Sequence, residues 1–185
     1  MRTRMRALGL VLLIAATAAL TSAPNASADD RAELNRDGTS ALQNLVANNI
    51  AAKLLSEKAV AVLVFPSIVK AGFMFGGQYG TGVLMRHGRP EGYYNSVAAS
   101  YGLQAGVQVY GYALFFMNEK ALEYLNASDG WEIGVGPSIV VVDEGMGKSL
   151  TSTTITQDVY AFIFDQKGLM AGIGIQGSKI TKISK

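Results

Sequence analysis

Cysteine is absent from the 185 residues, and histidine occurs once. Without cysteine there is no disulfide and no thiolate metal site. Nor can the chain carry the lipid of a bacterial lipoprotein, which is attached to a cysteine. The lone His87 excludes a histidine-cluster zinc site. A serine-histidine triad would have to use His87, yet no serine sits in a GxSxG elbow. The carboxylate pair Asp143-Glu144 stands beside Gly145 and Gly147 and reads as a loop. No spacing that an enzyme requires is present. The chain reads as a non-enzymatic binding or structural module with no metal and no cofactor.

A strong charge of one sign is missing too. Lys and Arg number 16 against 14 Asp and Glu. Arg2, Arg4 and Arg6 stand at the start and are followed by the apolar run Ala7 to Leu20. That run is shorter than the roughly 20 residues a membrane-spanning helix needs. Ala26-Ser27-Ala28 then supplies small residues at the −3 and −1 positions of a cleavage site. This is the layout of a secretory signal peptide over residues 1–28. Cleavage after Ala28 would leave 157 residues with a charge balance of −1. A chain that binds polyanions carries a strong basic surplus, so nucleic acid is not an expected partner. The expected location is the periplasm or the outside of the cell, peripheral to the membrane.

Glycine, by contrast, is abundant, with 21 residues. "KAGFMFGGQYGTGV", Lys70 to Val83, resembles a phosphate loop in composition. Such a loop needs a following helix whose N-terminus meets the phosphate, and often a Lys-Ser or Lys-Thr. Neither follows here. In strand parity, Phe73, Phe75, Gly77, Tyr79, Thr81 and Val83 share one face, and Gly72, Met74, Gly76, Gln78, Gly80 and Gly82 share the other. "SYGLQAGVQVYGYALFF", "WEIGVGPSIVVVD" and "LMAGIGIQGSKI" repeat a bulky face opposite a bare one. Glycine inside strands marks bends, bulges and close approach of another backbone. The bare faces therefore predict a strongly curved sheet, with room for a helix on the bare side.

Residues 29–39 are polar and read as a loose start or a frayed helix. Ser40 and Gln43 form a capping box for a helix to about Lys58, with Leu42, Val46, Ile50 and Leu54 as its stripe. Its polar face holds Asn, Gln and Ser, with Lys53 and Lys58 its basic residues. Packing on the core therefore suits it better than lying on a membrane. "AVAVLVF" is a buried strand that Pro66 should stop. "NEKALEYLNASDG" is a short helix capped by Asn118. The predicted fold is α+β over residues 40–185. An N-terminal amphipathic helix packs on a curved, Gly-rich, mostly antiparallel sheet or barrel with a short interior helix.

Basic residues cluster in three places. Lys70 follows "FPSIV". Arg86 and Arg89 flank His87 in "MRHGRPEG", a turn. Lys179, Lys182 and Lys185 mark the C-terminus. Exposed cations of this kind can meet anionic headgroups. "AKLLSEKAVAVLVFPSIVKAGFMFGGQYGTGVLM", "SYGLQAGVQVYGYALFFMNEKALEYL" and "FDQKGLMAGIGIQGSKI", in this order from about Ala52, resemble the SYLF domain. That resemblance implies phospholipid binding, with an anionic phospholipid or membrane surface as the partner. Some members of that family bind actin, which an exported protein would not meet, so actin is not expected. The N-terminal helix is also poorer in cations than the basic segment of eukaryotic members. The six cations above are the candidate headgroup site. Two alternatives remain open at this point: a small outer-membrane β-barrel, and a structural envelope protein without a lipid ligand.

Overall fold

The computed structural model describes residues 28–127, 130–151, 153–168 and 177–183. The signal-peptide segment up to Ser27, residues 169–176 of the last glycine-rich stretch, and Lys185 lie outside the described residues. The fold is α+β. Helices α1 (Ala28–Asn48) and α2 (Ile50–Ser56) precede a long hairpin of β1 (Ala61–Arg86) and β2 (Arg89–Phe116). Then follow α3 (Glu119–Ala127), β3 (Trp131–Glu132), β4 (Ile139–Val141), α4 (Glu144–Ser149), β5 (Val159–Gly168) and β6 (Lys179–Lys182).

One curled sheet holds all six described strands in the order β3-β6-β2-β5-β4, with β1 on the other edge of β2. Every pair is antiparallel except β4 with β5. The described strands form an open path, not a closed barrel. His87 and Gly88 make the two-residue turn between β1 and β2, with φ of 50° and 75°. Two successive left-handed residues match the twist of a hairpin.

The sheet has an inner and an outer face. Leu63, Phe65, Ile68, Tyr110, Tyr112, Leu114 and Trp131 pack inward with Leu122 and Leu125 of α3. Phe65 stacks on Tyr112 with ring centroids 4.6 Å apart. Val62, Val64, Phe115 and Phe162 pack outward against Leu45 of α1 and Leu55 of α2. Full burial of each such side chain contributes about 1.5–3 kcal/mol.

Several local expectations need correction. The helix does not start at a Ser40 cap. It begins at Ala28, runs through the polar segment and Gly38, and ends at Asn48. Asn49 then caps α2, its side chain accepting from Ala52 N at 2.9 Å. Pro66 does not stop β1. A bulge between Phe65 and Ile68 absorbs it, the place where a strand tolerates a residue with no N–H. "WEIGVGPSIVVVD" is not one strand. Gly134 and Gly136, at φ of 107° and 91°, turn the chain between β3 and β4. Asp143 does not lie in a plain loop. It caps α4 by accepting from Met146 N at 2.7 Å.

The bare face of β1 is the inner one, and no helix among the described residues covers its glycines. It is covered by β1 itself. A Cβ on Gly80 would meet the Ser67 carbonyl oxygen at 2.6 Å, and one on Gly82 the Val64 oxygen at 2.8 Å. The edge of the strand's first half thus lies on the floor of its second half. Helix α1 sits instead on the bulky outer face, with Gly38 against Val83 and the Arg31 guanidinium 5.6 Å from the Tyr93 ring centroid.

Candidate functional site

The bulge at Pro66 and Ser67 sets which side chains enter the curl. Before it odd positions point inward, and after it even positions do. Ile68, Lys70, Gln78, Tyr110 and Gln108 are consequently buried. Tyr110 Oη donates to Gln78 Oε1 at 2.8 Å, and Gln78 Nε2 donates to Ser178 Oγ at 2.8 Å. Tyr112 Oη donates to Ser96 Oγ at 2.8 Å. Burial pushes the Tyr110 hydroxyl up to about 12. It also raises that of Tyr112, against the lowering effect of the Ser96 bond. These bonds satisfy polar groups that the glycine-rich interior would otherwise leave dry.

The outer face differs along its length. Both ends are covered, by α1 over Val83 and by α1 and α2 over Val62 and Val64. The stretch between them exposes Val69, Phe75, Tyr79, Val97 and Val107, with Phe75 at 71%. A corner shapes this stretch. A Cβ on Gly72 would fall 2.5 Å from Gly76 Cα and 2.7 Å from the Phe75 carbonyl oxygen. The strand therefore turns sharply inward between residues 72 and 76, where only glycine fits. Phe75 stands on the convex side of that corner. Opposite it, β2 takes up two extra residues between Gly102 and Ala105.

Strand pairing extends two rows of this face sideways. Tyr79 pairs with Val97, and Val97 pairs with Lys179. Val69 pairs with Val109, and Val109 pairs with Lys167. Lys179 and Lys167 are both exposed. Lys167 was not among the cations singled out from sequence. No local signal marks it, because its position depends on the β2–β5 register and on the bulge at Asp165, whose φ is 51°.

The six cations named from sequence do not form one cluster. Lys70 is not an exposed cation. It lies inside the curl at 9% exposure, opposite Gln108. Arg86 and Arg89 pair with each other beside the hairpin turn and, with His87, Pro90 and Glu91, line a groove of about 400 Å³. Arg86 is ion-paired to Glu119 of α3 and lies 3.9 Å from Glu91. Arg86 thus meets both acids, and over Arg86, Arg89, Glu91 and Glu119 the formal charges cancel, so the turn carries no net cationic patch. Lys182 donates to Asn126 Oδ1 at 3.3 Å and lies 6.0 Å from the Tyr94 ring centroid, tied to the end of α3. Of the six, Lys179 alone borders the uncovered outer face within the described residues.

Residues 97–185, which begin inside β2, match the family model described as "Ysc84: Las17-binding protein actin regulator". Over these residues the chain belongs to the SYLF family. It is a family of the lipid-binding type. No curated protein matches the chain. The SYLF segment supplies Val97, Val107, Lys167 and Lys179 of the uncovered face, and β1 supplies Val69, Phe75 and Tyr79.

Proposed function

We propose that this SYLF protein is a non-enzymatic module that binds anionic phospholipid at a membrane surface. The observation that carries the reading is the uncovered outer face. Phe75, Tyr79, Val97, Val69 and Val107 stand exposed on a sheet whose outer face is covered by helices at both ends. A contiguous apolar face of this kind marks a surface that meets a partner. The family context favours lipid as that partner. Las17 binding and actin regulation describe that family and form no part of this reading. The exported location read from the N-terminal sequence fits a peripheral role at a bacterial-type membrane. The open path of the described strands favours this reading over a membrane-spanning barrel. Flotation of the protein with phosphatidylglycerol vesicles tests it. Recovery with the vesicles at low salt supports the reading, and recovery only in the dense fraction refutes it.

A further inference from the structure

The proposed lipid binding leaves open which part of the molecule meets the bilayer and what selects its charge. Resting on that reading, we infer that the convex corner of the β1–β2 hairpin is a wedge-shaped docking surface for an anionic bilayer. Phe75 enters the interface, and Lys167 and Lys179 reach headgroup phosphates on the two flanks.

Three observations converge. The sharp turn between Gly72 and Gly76 places Phe75 on the outside of the bend, the most exposed large hydrophobic side chain among the described residues of the sheet. Tyr79 and Val97 descend from it on one side, and Val69 and Val107 on the other. Each side ends in a lysine carried by a neighbouring strand, Lys179 on β6 and Lys167 on β5. Neither lysine is in an ion pair among the described residues, although exposed Glu132 pairs in register with Lys179. An apolar crown between two cationic flanks fits a bilayer whose apolar region lies below a layer of phosphates. Lysine stems also pack along apolar surface while the ammonium reaches the headgroups. A polar protein surface would not reward the crown, and a neutral bilayer would not reward the lysines.

The test is sedimentation with vesicles of phosphatidylglycerol or of phosphatidylcholine, for wild type, Lys167→Gln/Lys179→Gln, Val97→Asp/Val107→Asp and Arg89→Gln. The lysine pair should lose about fivefold in affinity per lysine toward phosphatidylglycerol and nothing toward phosphatidylcholine. The valine pair should lose binding to both, and Arg89→Gln should behave as wild type. All these side chains are exposed, so melting temperatures should stay near wild type. If the valine pair fails to fold, the lysine pair alone decides. Should wild type itself not sediment with phosphatidylglycerol, the lipid reading fails. Should wild type sediment and both pairs follow it unchanged, lipid binding stands and the corner is excluded. Sedimentation velocity without lipid completes the test. A dimer that the valine pair dissolves would make the corner a protein interface and overturn the proposal.

Discussion

The Ser67 carbonyl oxygen lies 2.6 Å from where a Cβ on Gly80 would stand. Real side chains do not approach a backbone oxygen that closely, so Gly80→Val must push the two halves of β1 apart. The expected cost is about 3 kcal/mol or more. Gly77 provides the contrast, because its Cβ position sits 3.5 Å from the Ala98 oxygen, an ordinary contact. Gly77→Ala should change stability by no more than about 0.5 kcal/mol. Urea unfolding of both variants checks this. Equal midpoints would mean that the glycines do not serve the close approach.

Tyr110 donates to Gln78 inside the curl. Tyr110→Phe leaves the Gln78 carbonyl oxygen buried and without that donor, at a cost of about 1–3 kcal/mol. Tyr124→Phe, on the exposed side of α3, should cost far less. Thermal melts of the two variants should separate clearly, and coincident curves would remove the polar column from the account of stability.

Stability should depend on pH at both ends of the scale. The bond from the Ser138 N–H, then those from Asn118 Nδ2 and Ser138 Oγ, hold the Asp158 carboxyl below its ordinary value. A depressed folded value stabilises fully above the unfolded value of about 3.9 and loses that contribution as pH falls through the folded one. Asp158→Asn should therefore be less stable than wild type at neutral pH, with the gap closing on acidification. Tyr94 and Tyr110 behave in the opposite sense, both pushed up to about 12, chiefly by burial. Their contribution is full below about 10 and is lost as pH rises through the folded values. Melts from about pH 2 to 12 read both limbs. A wild-type advantage over Asp158→Asn that persists at the acid end would contradict the first.

Much of the architecture was legible in the residues. Alternation along Lys70 to Val83 separates the two faces of β1. Asn118 caps α3, its side chain accepting from Ala121 N at 2.9 Å. What was not legible depends on contacts far apart in sequence. The bulge at Pro66 and Ser67 shifts the phase of β1 by one residue and turns Lys70 inward, and a string of letters does not show that step. Residues 29–39 look too polar for a stable helix. Docking on Val83 and Tyr93 holds them helical, a tertiary override of weak propensity. The flanking role of Lys167 and Lys179 exists only once β5 and β6 have paired with β2.

The natural absence of cysteine makes the central claim directly measurable. Val97→Cys and Val107→Cys place single labels on the two flanks of the corner, and Thr153→Cys places one on an exposed site outside it. Each is coupled to an environment-sensitive fluorophore and mixed with phosphatidylglycerol vesicles. The account predicts a blue shift and protection from aqueous quencher at residues 97 and 107, with none at 153. Vesicle-bound protein whose labels at 97 and 107 remain as accessible to quencher as the label at 153 would contradict it.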